Sequence, residues 1–208
     1  MIDHGTLLTY LVVLAGFVFI PGPAVLLTLA RAASSGTRAG IATGLGIAVG
    51  DLGHTSMAVF GLSAILADSA LLFGIIKYIG AAYLVYLGIK AILERSGNAL
   101  MPPAASITAS RAFRQAILVE ILNPKSALFF LAFLPQFVEP QNGADPLQLA
   151  ILGGLFVIMG ALSTMIFALG AGAIGKFLSR NAAVVRWQSK VVGGIYCALG
   201  IRLALQER

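Results

Sequence analysis

The chain has 208 residues, of which 59% are hydrophobic and 11% are charged, and its formal net charge is +6. A soluble domain has roughly a quarter charged residues and about half apolar ones. This composition, with a mean hydropathy of +0.94, therefore excludes a soluble enzyme, a nucleic-acid-binding domain and a disordered regulator. The single cysteine, Cys197, excludes a disulfide framework, a CxxC redox pair and a cysteine zinc site.

Six stretches have the length and apolar character of a membrane-spanning helix, which needs about 20 mainly apolar residues. We predict transmembrane helices at residues 5–30, 39–65, 69–91, 113–138, 147–173 and 187–206. The first stretch is too long for the core of a cleaved signal peptide, and no lysine or arginine precedes it. The predicted fold is an all-α, polytopic membrane domain.

The first predicted helix is interrupted by Pro21, Gly22 and Pro23. Each proline lacks a backbone donor and clashes with the preceding turn, and the glycine adds conformational freedom. Carbonyl groups freed within a bilayer need partners, so such a break is stable only against protein or a water-filled cavity. A single proline often produces only a kink, whereas two prolines around a glycine favour a functional break.

The second predicted helix carries a carboxylate and an imidazole at membrane depth, Asp51 and His54. At about 100° per residue, they share a broad stripe with Gly40 and Gly44, and this stripe faces protein rather than lipid. We expect Gly40, Gly44 and Gly50 to serve close helix packing.

Buried ionisable groups in a bilayer are costly and indicate function. Asp51 is expected to bind a substrate ammonium group or a proton. The alternative is a structural ion pair with Lys125. His54 is a second candidate, although a lone membrane histidine can also serve only to hydrogen-bond a neighbouring helix.

The fourth predicted helix is interrupted by Asn123 and Pro124, and Lys125 follows deep in the span. Lys125 could hold a substrate carboxylate, and Asn123 is a further candidate for substrate or ion binding. Glu120 is a candidate of the same kind, with an interfacial pair with Arg114 as its alternative.

Other recurrent residues are expected to serve packing. The remaining glycines of the second half belong to this group: Gly153, Gly154, Gly160, Gly170, Gly172, Gly193 and Gly194. Four phenylalanines favour a lipid-facing or packing surface over a substrate cage: Phe129, Phe130, Phe133 and Phe137.

An internal repeat relates the two halves of the chain. With one deletion, residues 77–83 and 190–196 share the pattern K-x-[IV]-G-small-x-Y, and residues 87–90 and 199–202 share L-G-I-[KR]. The first and fourth helices are both broken at proline. We divide the chain into a three-helix repeat at 1–91, a linker at 92–112 and a second three-helix repeat at 113–208. Because three is an odd number, the halves enter the membrane from opposite faces, as in secondary transporters with sites at broken helices.

Basic residues set the orientation. Ten of the 14 lysines and arginines lie in or beside the first, third and fifth connections, which are therefore cytoplasmic, with both termini outside.

Five motifs in order resemble the lysine exporter (LysE-type) family, including its homoserine/threonine and leucine efflux branch. They are Pro21–Ala24, Gly40 to His54, Gly80–Gly88, Leu122–Lys125 with Phe129–Phe137, and Gly194 to Leu203. The resemblance implies a six-helix protein of the bacterial inner membrane that exports amino acids, driven by the membrane potential or a proton gradient, and that self-associates as a homodimer.

We therefore expect a secondary exporter of a small, neutral amino acid, working by proton antiport. Its partners are the amino-acid substrate, protons and the lipid bilayer, with no nucleic acid, no cofactor and no metal. The alternatives are a cationic amino-acid exporter, a metal-ion exporter and a non-transporting assembly subunit. A thiol–disulfide conduit would need a second cysteine.

Overall fold

The helical architecture is described by a computed structural model for residues 2–19, 22–62, 70–93, 106–139, 145–174 and 182–205. No strand occurs in these ranges. The α-helices are α1 (His4–Phe19), α2 (Pro23–Ser35), α3 (Thr37–Met57), α4 (Ala70–Leu93), α5 (Ala109–Ile121), α6 (Pro124–Leu128), α7 (Asp145–Leu169) and α8 (Ala182–Leu205). A π-helical turn, Ala58–Leu62, extends α3, and a π-helical turn and a 3₁₀ turn, Phe129–Phe133 and Leu134–Phe137, extend α6.

Each of the six predicted helices corresponds to one helix or one bent pair. The first is α1 with α2, and the fourth is α5 with α6 and its two turns. Within the described ranges, α7 alone is long and apolar enough to cross a membrane, at Pro146–Leu169, and the two bent pairs raise this number to three. The full set of six spans stays a prediction. Most of the predicted linker, 94–105, lies outside the described residues.

The two bent pairs have nearly the same angle. The α1–α2 pair bends by 43° and the α5–α6 pair by 44°. In each pair a proline is the first residue of the second helix, where its missing N–H costs nothing. Gly22, in an extended conformation, precedes Pro23. Asn123 precedes Pro124 and caps α6, since its Oδ1 accepts a hydrogen bond from the backbone N–H of Lys125 at 3.0 Å. Pro21 lies outside the described residues.

Helix α3 is central and packs closely against α2, α5 and α7. Its glycines make this possible. A Cβ on Gly40 would lie 2.6 Å from an alanine Cβ of α2, one on Gly44 would lie 2.8 Å from Oγ1 of Thr164, and one on Gly50 would lie 2.6 Å from the Cβ of Glu120. Since real Cβ atoms essentially never come this close, the three positions exclude a side chain.

Helices α3 and α7 run antiparallel through two matching glycine–threonine contacts. A Cβ on Gly44 would meet the hydroxyl oxygen of Thr164 at 2.8 Å, and a Cβ on Gly153 would meet that of Thr55 at 2.8 Å. The number of residues from Gly44 to Gly153 equals the number from Thr55 to Thr164, and this separation is here called the α3–α7 interval. Each helix therefore gives one glycine and one threonine to the pair of contacts, at equivalent positions.

Helices α4 and α8 pair in the same reciprocal way and also run antiparallel. A Cβ on Gly88 would lie 2.6 Å from the carbonyl oxygen of Gly193, and one on Gly200 would lie 2.8 Å from that of Ala81. Gly200 follows Gly88 at the same sequence interval as Gly193 follows Ala81, and this spacing is here called the α4–α8 interval.

At the middle of each helix pair, equivalent positions face each other. In α3 and α7, Asp51 faces Gly160, from which it is separated by the α3–α7 interval; a Cβ there would lie 3.5 Å from Oδ2 of Asp51. In α4 and α8, the Sγ of Cys197 lies 3.8 Å from the carbonyl oxygen of Val85, and the α4–α8 interval separates these two residues. A contact between equivalent positions is what a two-fold axis produces in a symmetric pair.

A group of buried rings, here called the aromatic cluster, forms the main core. Its members are Tyr10, Phe17, Phe129, Phe130, Phe133, Phe137 and Phe156. The four phenylalanines that follow α6 therefore serve packing rather than a lipid-facing surface. The hydroxyl of Tyr10 donates to the carbonyl oxygen of Leu152 at 2.7 Å, which joins α1 to α7.

Candidate functional site

The side chain of Lys125 reaches from the second helix break into the first. Its Nζ donates to the carbonyl oxygen of Phe17 at 3.4 Å and lies 4.0 Å from the centre of the Phe17 ring and 5.5 Å from that of Tyr196. Since Pro21 has no N–H, the Phe17 carbonyl, which precedes it by one helical turn, lacks its usual helical donor. A Cβ on Gly22 would lie 2.8 Å from Nζ, so this glycine leaves the space that the ammonium group occupies.

The carboxylate of Glu120 joins the two sides of the second break. The side chain is buried, with 1% exposed. The amide of Asn123 donates to its two oxygens at 3.1 and 3.3 Å, and the hydroxyl of Ser126 donates to Oε1. Among the described residues, Asn123 and Ser126 thus donate to Glu120, which also interacts with the side chain of Asp51, and no hydrogen bond from Arg114 is seen.

Backbone carbonyls at both breaks receive side-chain hydrogen bonds from the other half. The Nε2 of His54 is 2.9 Å from the carbonyl oxygen of Glu120, and the His54 ring stacks on Phe130. The hydroxyl of Ser163 donates to the carbonyl oxygen of Val18 at 2.6 Å. His54 and Ser163 are again separated by the α3–α7 interval. These bonds provide the partners that a broken helix needs in a bilayer.

Asp51 carries an unused acceptor. The side chain is buried, with 2% exposed, and its Oδ1 has no hydrogen-bond partner among the described residues. Glu120 and Lys125 are the ionisable groups that act on it. The ammonium group of Lys125 donates one hydrogen bond to Phe17 and also acts on Asp51 through its charge, so a structural role for Asp51 beside Lys125 stays an alternative.

These side chains surround one cavity of about 40 Å³ between the two breaks. A buried water needs about 10–15 Å³, so the space suits about three waters and has to widen to hold a larger molecule. The polar lining consists of Asp51, Glu120, Asn123, Lys125, Ser126 and Thr164, and the larger apolar lining residues are Phe17, Val18, Val25, Ile47 and Phe156.

The ionisable groups of the cavity do not balance. Asp51 and Glu120 contribute two carboxylates, whereas Lys125 contributes one ammonium group. Burying an uncompensated charge costs several kcal/mol, of order 3–5. The site is neutral with one bound proton or with one added cationic group. Among the described residues, His, Cys, Asp and Glu side chains form no group of three that could hold a metal ion.

Comparison with known proteins identifies the family. The sequence profile of the LysE type translocators matches residues 15–207. The chain belongs to the LysE type translocator family. Members of this family are membrane transporters, and no catalytic family is indicated.

Relatives of this translocator occur in several bacteria. It is 34% identical to the uncharacterized membrane protein YrhP of Bacillus subtilis, over 96% of this chain and 99% of the relative. An uncharacterized membrane protein of Vibrio cholerae is 30% identical over 95% of each chain. The leucine efflux protein of Salmonella choleraesuis is 26% identical over 94% of this chain and 93% of its own. No solved structure matches this translocator.

The structure brings together most of the predicted site residues. Asp51, Glu120, Asn123 and Lys125 line one cavity, while His54 supports its edge from the side. Gly22, Pro23 and Pro124 form the breaks next to it.

The sequence analysis did not predict the apolar lining residues, and it also missed Ser126, Gly160 and Thr164 as site residues. Ser126 lies one helical turn after Asn123, so both reach Glu120 from one face. Gly160 stands at the same interval from Asp51 as Gly153 does from Gly44. An alignment of the second helix of each half would have drawn attention to it.

Proposed function

We propose that this translocator exports a small, neutral amino acid, such as homoserine, threonine or a leucine-like amino acid, from the bacterial cytoplasm in exchange for protons. The observation that carries the proposal is the buried Oδ1 of Asp51, which has no hydrogen-bond partner among the described residues and lies at a cavity that also holds Lys125. A zwitterion offers its ammonium group to Asp51 and its carboxylate to Lys125. The similarity to leucine efflux proteins supports the same substrate class.

Proton antiport follows from competition for one acceptor. With one proton on the pair of carboxylates, the empty site is neutral. Oδ1 of Asp51 either carries a proton or accepts a hydrogen bond from the substrate ammonium group. Because both cannot occupy it at once, binding of the substrate releases the proton, and return of the proton releases the substrate. The loaded site then carries one uncompensated negative charge, which favours the return of a proton. This mutual exclusion is the requirement for exchange.

The apolar walls favour a neutral side chain. Phe17, Val25, Ile47 and Phe156 offer no side-chain hydrogen bond or charge to a substrate side chain. A desolvated side-chain charge would therefore need the carboxylate of Glu120, whose two oxygens already accept hydrogen bonds from Asn123 and Ser126.

A second candidate is a cationic amino acid such as lysine or arginine. It is favoured by one observation, the position of Glu120 inside the cavity near Asp51. With both carboxylates ionised, a substrate with one net positive charge makes the site neutral without a proton. This candidate predicts export that does not consume the proton gradient.

We also propose that the two halves are inverted repeats, with six spans, in the bacterial inner membrane and with both termini outside. The reciprocal contacts of Gly44 and Gly153 and of Gly88 and Gly200 support this arrangement. The orientation is supported by Arg31, whose hydrogen bond to Gln115 at 3.1 Å joins the end of α2 to the end of α5 that carries Arg111 and Arg114.

Transport by the purified protein tests the proposal. Proteoliposomes loaded with one radiolabelled amino acid at a time are given a pH gradient, and release is compared with protein-free vesicles. We expect gradient-dependent release of neutral amino acids, accompanied by proton movement in the opposite direction. Release of lysine alone would favour the second candidate. Release that is independent of pH would exclude proton antiport.

A further inference from the structure

We propose that Gly160 determines which substrates this translocator accepts, because its missing side chain leaves room beside Asp51 for the α-carbon and ammonium group of the substrate. This inference rests on the proposed function. Gly160 is buried in the interior of the 25-residue helix α7, and it lines the cavity.

Packing does not explain this glycine. A Cβ on Gly44 or Gly153 would meet a threonine hydroxyl oxygen at 2.8 Å, which excludes any side chain. Among the described residues, a Cβ on Gly160 would have one neighbour within 4 Å, Oδ2 of Asp51 at 3.5 Å, which is an ordinary van der Waals contact. Alanine would therefore fit. It is also the best helix former, whereas glycine is among the poorest.

The space that glycine leaves lies against a group that needs a ligand. The carboxylate of Asp51 is buried, and its Oδ1 has no hydrogen-bond partner among the described residues. With a cavity of only about 40 Å³, one methyl group on Gly160 would remove a substantial part of the volume beside the carboxylate. A ligand whose ammonium group binds Asp51 would then have to place its α-carbon and nearby atoms elsewhere.

The equivalence of positions in α3 and α7 also supports a binding role for Gly160. Asp51 and Gly160 occupy equivalent positions in α3 and α7, separated by the interval that also relates Gly44 to Gly153. One half thus provides a carboxylate and the other half provides an empty position opposite to it. If both positions carried the same side chain, the two side chains would contact each other. Because one of them is glycine, the space opposite Asp51 is left for a ligand.

Gly160 would select substrates by the size of the groups close to their α-carbon. Two pairs of isomers test this property alone, because homoserine and threonine have the same composition, as do leucine and isoleucine. Threonine and isoleucine branch at the β-carbon, whereas homoserine and leucine do not. In Gly160→Ala, the β-branched member of each pair should lose the most, since one methylene group in a pocket changes selectivity by about tenfold or more.

The experiment measures competition by these four amino acids in proteoliposomes containing wild type, Gly160→Ala or Gly154→Ala. Gly154 is the matched control, because it also lies in α7 and a Cβ there would have no neighbour within 4 Å in the described part of the chain. We expect the apparent affinity for threonine relative to homoserine, and for isoleucine relative to leucine, to fall about tenfold in Gly160→Ala only. Thermal unfolding of both variants in detergent should match wild type or exceed it.

Two results would overturn the inference while the proposed function stands. One is the same isomer preference in both variants and wild type. The other is loss of Gly160→Ala from the membrane while Gly154→Ala remains, which would show that Gly160 is required for packing. If wild type transports no neutral amino acid, the proposed function fails, and the role of Gly160 fails with it.

Discussion

The ammonium group of Lys125 occupies the position that a side chain on Gly22 would need. Nζ lies 2.8 Å from the place of a Cβ on Gly22 and donates a hydrogen bond to Phe17 on the other side of the first break. The ammonium group of Lys125, from the second break, therefore occupies the space that Gly22 leaves at the first break. This relationship makes the two interruptions parts of a single site.

Gly22→Ala should impair transport without unfolding the protein. The backbone of Gly22 has φ −101°, which alanine adopts freely, and the displaced atom is the end of a flexible chain. Displacement of Nζ would remove the hydrogen bond that Lys125 is proposed to donate to the substrate carboxylate. A hydrogen bond to a charged group is worth about 1.5–3 kcal/mol, so the apparent affinity for the substrate should fall about tenfold or more. Equilibrium binding or competition in proteoliposomes measures the change. Gly16→Ala, where a Cβ meets none of the described atoms within 4 Å, should behave as wild type. Equal affinity of Gly22→Ala and Gly16→Ala would contradict the role assigned to Lys125.

Asp51→Asn should abolish gradient-driven efflux and leave the protein in the membrane, because the amide cannot carry the exchanged proton. The double variant Asp51→Asn with Lys125→Met distinguishes a functional role from a structural one. If Asp51 only balanced the charge of Lys125, removing both buried charges would restore efflux. Since the proposed function assigns the substrate ammonium group to Asp51 and the substrate carboxylate to Lys125, we expect the double variant to remain inactive. Efflux and membrane abundance are measured together, and normal efflux by the single variant would remove Asp51 from the mechanism.

Gly50→Ala should destabilise the protein. The added Cβ would lie 2.6 Å from the Cβ of Glu120, close to the backbone of α5, so neither helix can move aside easily. Overpacking of this kind costs about 1–3 kcal/mol. We expect a lower temperature of unfolding in detergent and less protein in the membrane. Gly154→Ala serves as the comparison, and an unchanged unfolding temperature for Gly50→Ala would show that α3 and α5 can separate at low cost.

The membrane topology gives a prediction that is independent of the site. Reporter fusions after residues near 100 and 182 should be active on the cytoplasmic side, and a fusion near 142 should be active outside. The reason is the concentration of lysine and arginine in the odd connections. A fusion at the C terminus should report the outside. A cytoplasmic C terminus would rule out two inverted halves of three spans each.

Much of the helix pattern could be predicted from the sequence, because apolar length and proline have direct local effects. The break at Asn123 and Pro124 is an example, since an N-cap side chain followed by proline specifies a helix start. The position of Lys125 against Gly22 could not be predicted. It depends on how two distant segments pack, and neither residue signals the other.

Glu120 shows a different limit. From sequence alone, a carboxylate less than two helical turns after Arg114 fits an interfacial ion pair as well as a buried site. The structure buries it because Gly50 lets α5 approach α3. Gly160 was grouped with the packing glycines for a similar reason. Composition cannot distinguish a glycine that admits a neighbouring helix from one that leaves a space empty.

The hydrogen bonds of Glu120 have a consequence for motion. They connect α5, where Glu120 lies, to Asn123 in the break and to Ser126 in α6. Any change in the 44° angle between these segments has to stretch or exchange at least one of them. The angle of this break is thus held by side-chain hydrogen bonds as well as by the backbone, so movement of α6 relative to α5 requires the carboxylate of Glu120 to release a donor.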